Sequence, residues 1–174
     1  MSQRFRDKYR IPSTRIPWFD YGSNAAYYIT ICTKRRKPYL GSVENGKMIL
    51  SEIGDIVRKE WHKTPSIRPE LNLYMDDFVV MPDHIHGIIV IRSGGVRRDA
   101  RRGVSTCVRN KNIFGPQYNN IPSIIRGIKS TVTTRARIIN PDFGWQTRYY
   151  DHIIRNGKDY KRILEYLNKH PRII

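Results

Sequence analysis

Val79-Val80-Met81-Pro82-Asp83-His84-Ile85-His86-Gly87-Ile88-Ile89-Val90 reads as two β-strands meeting at a Pro-Asp turn. Residues two apart on a strand point to the same face, so His84 and His86 project side by side, about 7 Å apart at their backbones. That spacing lets two imidazoles share one divalent cation. A histidine pair on a strand is by itself more often structural, and a two-histidine site needs at least one more ligand.

The neighbouring sequence extends this reading. Leu71 to Met81 and His84 to Arg92 form successive strands. Ala25 to Thr33, rich in aromatic and β-branched residues, is a further strand, which Lys34-Arg35-Arg36-Lys37 ends. Glu44-Asn45-Gly46-Lys47 is a hairpin turn, because Asn-Gly tolerates the positive φ angles such turns need. Ser51 caps an amphipathic helix through Ile53, Ile56, Val57 and Trp61, which Pro65 and Pro69 terminate. Ile121 to Ile139 has helical spacing in Ile124, Ile125, Ile128 and Val132, with Ser123 as its cap. Trp145 to Ile154 fits either a strand or a helix, and Gly157 to His170 is a helix with Tyr160, Ile163, Leu164 and Leu167 on one stripe. The order predicts an α+β fold, an antiparallel sheet with helices packed on it, of the split βαβ (ferredoxin- or RRM-like) kind. Residues 1–24 are expected to form a basic arm and residues 25–174 a single domain.

Charge speaks to partners. The 174 residues carry 32 Lys+Arg against 15 Asp+Glu, a formal net charge of +17. Such a surface attracts a polyanion and gains from counterion release, so nucleic acid is the expected partner. The segment from Ser93 to Gln117 has no apolar periodicity and concentrates Arg97, Arg98, Arg101 and Arg102. With Lys129, Arg135 and Arg137 of the second helix, these are the candidate DNA-backbone contacts. Tyr27 and Trp18 are candidate stacking platforms for unpaired bases. Cys32 and Cys107 belong to no CxxC pair, which argues against a structural zinc site and for a reducing compartment. No run of about 18 apolar residues and no secretory leader is visible, so a cytoplasmic, nucleoid-associated protein without a membrane partner is expected.

Near the C-terminus, Tyr166 and His170 are four apart and share a helical face. A tyrosine hydroxyl can attack a phosphodiester and form a covalent phosphotyrosine, and a divalent ion stabilises the charge that develops there. Two strand histidines, a helical tyrosine and a ligand one turn beyond it supply the parts for that reaction. Tyr149 and Tyr150 are alternative nucleophiles.

These residues resemble the single-tyrosine HUH transposases, in particular the REP-associated tyrosine transposases of bacterial genomes. The matching segments are Tyr28-Ile29-Thr30, Val80 to His86, Trp145-Gln146, Tyr150 to Asn156, and Glu165-Tyr166 through His170-Pro171, in the expected order. The resemblance implies Tyr166 as the nucleophile and a Mg²⁺ or Mn²⁺ ion held by His84, His86 and His170. It also implies single-stranded DNA with REP-like palindromic hairpins as substrate, bound by a monomer or homodimer. In that family the third ligand is usually Gln or Asn; His170 stands there in this chain, which bears on metal preference. The alternative functions are a non-catalytic, domesticated hairpin DNA- or RNA-binding regulator and a replication or conjugation initiator.

Overall fold

The computed structural model describes residues 4–5, 8–9, 20–92 and 119–171. The candidate contacts Arg97, Arg98, Arg101 and Arg102, the candidate platform Trp18, and Cys107 lie outside them.

Two short strands, β1 (Arg4–Phe5) and β2 (Lys8–Tyr9), pair with each other ahead of the main sheet. The main sheet is antiparallel throughout. It is built from β3 (Ala25–Cys32), β6 (Leu73–Tyr74), β7 (Phe78–Met81), β8 (His84–Ile91) and β9 (Tyr150–Ile154). β8 and β3 lie at the centre, β9 is on one edge, and β6 and β7 share the other. Helix α1 (Glu52–Ile67) follows β3 and helix α2 (Ile121–Ile139) follows β8. Each helix connects strands that have one strand between them, which is the split βαβ arrangement expected. Helix α3 (Gly157–Asn168) comes last.

A hairpin of β4 (Gly41–Glu44) and β5 (Lys47–Leu50) separates β3 from α1. Asn45 (φ 50°) and Gly46 (φ 75°) supply its two positive angles, as the Asn-Gly pair predicts. Ser51 caps α1, its hydroxyl accepting from the Gly54 amide at 3.0 Å. The helix runs past Pro65, which sits in its last turn, and ends at Ile67. For α2 the cap is Asn120, not Ser123. The Asn120 side chain accepts from the Ser123 amide (3.0 Å), and the Ser123 hydroxyl accepts from the Asn120 amide (3.2 Å), a reciprocal capping box.

The long strand expected over 71–81 is broken into β6 and β7 at Met75-Asp76-Asp77. Adjacent aspartates are poor strand formers, and Met75 is drawn into the core, where its carbonyl accepts from the Trp61 indole at 2.7 Å.

Side-chain alternation sorts the sheet into two faces. On one, Tyr27, Ile29 and Ile31 of β3 with Ile85, Ile89 and Ile91 of β8 pack against Trp61 of α1 and Ile124, Ile128 and Val132 of α2. Gly87 lets Trp61 lie flat on the strand: a Cβ there would stand 2.4 Å from the indole. Tyr27 is fully buried on this face, stacked on Tyr21, so it is core and not a stacking platform for bases. Tyr21, within the segment read as an arm, packs in the same core. The other face carries a smaller apolar cluster, Ile88, Ile154, Ile163 and Leu167, under α3. No helix among the described residues is long and apolar enough to cross a membrane.

Candidate metal centre and tyrosine cluster

The register places the chemistry on the α3 face. Thr30 lies opposite His86 and Cys32 opposite His84 across the β3–β8 ladder, while Tyr150 lies opposite Thr30, and His152 opposite Tyr28, across β3–β9. The two histidines are as close as the strand period implies, with Nε2 atoms 3.0 Å apart.

His170 joins them. It lies beyond the last residue of α3, not inside the helix as its spacing suggested. The chain nevertheless keeps turning: the His170 amide donates to the Leu167 carbonyl (3.1 Å) and His170 Nδ1 lies 2.9 Å from the Tyr166 carbonyl. One ligating atom from each of His84, His86 and His170 lies within 4.8 Å of the others.

The hydrogen bonds at Nδ1 decide what these rings can do. His84 Nδ1 meets an Asp83 carboxylate oxygen at 2.5 Å, which only accepts. His170 Nδ1 meets a backbone carbonyl, which also only accepts. In the neutral form both rings therefore carry the proton on Nδ1 and leave Nε2 as a lone pair. His86 Nδ1 has the Tyr28 and Thr30 hydroxyls at 2.8 Å each, either of which can accept from it. The hydroxyls can also donate to Nδ1, in which case His86 Nε2 donates to His84 Nε2 across the 3.0 Å contact; with the His86 proton on Nδ1 instead, two lone pairs face each other and a cation can lie between them. Two nitrogens at right angles on an ion with bonds near 2.1 Å would be about 3.0 Å apart. The donor set therefore fits a divalent cation with imidazole ligands, each oriented from its far nitrogen. Burial, reinforced by the charges that His84 and His170 can carry, pushes the His86 imidazole down to about 3, so it is neutral at physiological pH and available as a ligand.

Tyr166 stands at the edge of this cluster. Its ring centroid is 4.6 Å from that of His170 and 5.6 Å from that of His86, and the residue is 47% exposed. Tyr28 stacks on His86 at 5.5 Å and meets Tyr166 and Tyr150 edge-on at 6.4 and 6.3 Å. Burial raises the Tyr28 phenol to about 12, which keeps it a hydrogen-bonding group. Of the alternative nucleophiles, Tyr150 is on this face and exposed, while Tyr149 packs against the core beneath α1 and α2.

The candidate cations of α2 are in the opposite layer from the histidines. Lys129 donates to the Gln146 carbonyl (2.5 Å), and burial lowers its affinity for a proton. Arg135 pairs with buried Glu60 (2.5 Å), and Arg137 donates to the Phe143 carbonyl (3.1 Å). These contacts tie α2 to its neighbours. The residues that sequence reading did not assign to the site are Tyr28, Thr30 and Asp83 as partners of the imidazoles, and Arg36, which pairs with Asp83 at 2.7 Å. The signal for Tyr28 and Thr30 was their two-residue period on β3, readable only once the register with β8 is known.

No protein-family model matches the chain. It is 35% identical over 163 residues to an uncharacterized protein of Haemophilus influenzae, an alignment covering 91% of this chain and 87% of that protein. Among solved structures, a REP-associated tyrosine transposase bound to a REP hairpin superposes with a TM-score of 0.57. That match has 20% identity and covers 90% of this chain and 70% of the other. The chain therefore belongs to one family with the Haemophilus influenzae protein, and its fold is that of the REP-associated tyrosine transposase.

Proposed function

We propose that this chain is a divalent-metal-dependent DNA transposase or single-strand endonuclease that nicks and rejoins hairpin-bearing single-stranded DNA through a covalent 5′-phosphotyrosine. The observation that carries this reading is the convergence of one ligating nitrogen from each of His84, His86 and His170 beside the exposed Tyr166. The fold shared with a transposase that binds a REP hairpin supports the substrate class. The net charge of +17 supports a polyanionic partner. DNA as substrate places the work at the nucleoid.

In this mechanism His84, His86 and His170 would hold Mg²⁺ or Mn²⁺. When bound, such an ion supplies positive charge to the non-bridging phosphate oxygens as the transition state forms. Asp83 and the Tyr28–Thr30 pair hold the imidazoles in the ligating tautomer. The Tyr166 oxygen attacks phosphorus and gives up its proton to solvent. The new bond joins tyrosine to the 5′ side, the bond from phosphorus to the 3′ oxygen breaks, and that oxygen leaves as a 3′-hydroxyl after taking a proton from water. Attack by a 3′-hydroxyl on the phosphotyrosine reverses these steps and joins strands.

The test is an end-labelled oligonucleotide carrying a REP-like hairpin with a single-stranded flank. Addition of Mn²⁺ should yield a protein–DNA adduct that survives denaturing electrophoresis. His86→Ala should abolish the adduct and leave hairpin affinity within a few-fold, because phosphate contacts carry most of the affinity. Tight hairpin binding by the wild-type chain with no adduct in Mg²⁺ or Mn²⁺ would instead identify a binding regulator.

A further inference from the structure

We propose that Arg36 is a positioning residue of the metal centre, holding His84 in its ligating orientation through Asp83. This rests on the metal-centre reading above.

In the sequence, Arg36 is one cation in the run that ends β3. In the fold its side chain turns back to the sheet. Its Nε donates to Asp83 Oδ2 at 2.7 Å, while Asp83 Oδ1 accepts from His84 Nδ1 at 2.5 Å. The carboxylate is therefore held at both oxygens. Without the guanidinium it would be free to rotate about its own bond and to release the imidazole. Arg36 Nη1 also lies 2.9 Å from Cys32 Sγ, and Cys32 is the ladder partner of His84. The guanidinium thus spans β3 and the start of β8 at the rim of the site.

The backbone beneath is arranged for this reach. Arg35 (φ 57°) and Arg36 (φ 56°) are consecutive left-handed residues, a conformation that side chains with a Cβ disfavour and that normally selects glycine. The loop is pinned to the Pro82-Asp83 turn by Thr33, which is fully buried. Its amide donates to the Asp83 carbonyl at 2.9 Å, and its one hydroxyl proton lies between the Lys37 carbonyl at 2.7 Å and the Asp83 carbonyl at 2.9 Å. A half-exposed ion pair adds little to stability, so fold stability does not account for an arginine in this strained position. Orientation of a ligand does, since groups that orient metal-bound histidines are typically worth 10- to 100-fold in metal affinity.

The experiment is Mn²⁺ titration of the full chain by calorimetry, without DNA, beside thermal melts. Arg36→Gly removes the guanidinium and relieves the left-handed strain. It should bind Mn²⁺ about 10-fold more weakly with a melting temperature equal to or above wild type. Arg36→Lys keeps the charge but not the fork, and should also bind more weakly. In an Asp83→Asn background, Arg36→Gly should cost nothing further, because the two act in series. Wild-type affinity in either folded Arg36 variant, or losses that add to those of Asp83→Asn, would overturn the proposal and leave the metal centre standing. A wild-type chain that takes up no Mn²⁺ would overturn both.

Discussion

Strand β8 sends Ile85, Ile89 and Ile91 to one face of the sheet and His84, His86 and Ile88 to the other, and the two faces are covered differently. Beneath α1 and α2 lies a large apolar core in which Trp61, Phe143 and the β3 isoleucines are fully or almost fully buried. Beneath α3, among the described residues, the buried cluster is the smaller one of Ile88, Ile154, Ile163 and Leu167. Ala26, Val79 and Val90 pack half-buried around them, and polar contacts follow: Tyr160 donates to Asp77 at 2.5 Å, His152 pairs with Asp159 at 2.8 Å, and the imidazoles and tyrosines of the site share this face. One face makes the fold stable, while the other holds a helix that carries Tyr166 by a small apolar patch and a few polar ties. Local stability follows buried apolar contact, so α3 should open at lower free-energy cost than α1 or α2.

Three measurements sharpen or break that contrast. The largest effect belongs to the face under α1 and α2. Trp61→Ala removes a fully buried indole that stacks on Phe78 at 4.5 Å and bonds the Met75 carbonyl. It should lower global stability by about 3–5 kcal/mol in urea denaturation. A loss near that of a surface substitution would show that the core is not where stability resides. Leu167→Ala, on the other face, should act locally. Its cost of about 2 kcal/mol should appear in hydrogen exchange as faster opening of α3 amides, with those of α1 and α2 little changed. Uniformly faster exchange across all three helices would mean that the two faces unfold as one.

The smallest effect is electrostatic. Hydrogen bonds from Arg162 and then His152 hold the Asp159 carboxyl down at about 2, against about 3.9 for an unfolded aspartate. A carboxylate with a lowered folded value contributes stability that is complete above the unfolded value and is lost as the pH falls through the folded one. Exchange protection of α3 should therefore weaken between about pH 4 and about pH 2 through this group. Asp159→Asn should flatten that dependence, and an unchanged profile would remove Asp159 from the set of ties.

Much of this contrast was legible in the sequence, because period carries it. The apolar spacing of Ile124, Ile125, Ile128 and Val132 marked the buried stripe of α2, and the alternation through His84-Ile85-His86 put both imidazoles on one face. Tyr166 and His170 were four apart, and they do meet, although the chain has left the helix by His170. What failed to read depended on register or backbone angle. Ala25 to Cys32 is apolar at nearly every position, so nothing local says that Tyr27 faces the core while Tyr28 faces His86. Pairing with β8 settles it. Arg36 looked like any cation in a basic run; only two consecutive left-handed residues bring it back to Asp83. Lys129, Arg135 and Arg137 fell on the polar side of a helical wheel, which does not distinguish a cation facing a ligand from one bonded to Gln146, Glu60 or Phe143.

The central claim is that Tyr166, the tyrosine beside the three histidines, is the group that takes the DNA. The most direct measurement is to form the Mn²⁺-dependent adduct with labelled hairpin, digest the protein, and locate the modified residue by peptide mass spectrometry. The phosphotyrosine should map to Tyr166, and Tyr166→Phe, which keeps the ring and loses the oxygen, should bind the hairpin like wild type and form no adduct. A modification on Tyr150, or an adduct that survives in Tyr166→Phe, would contradict the account.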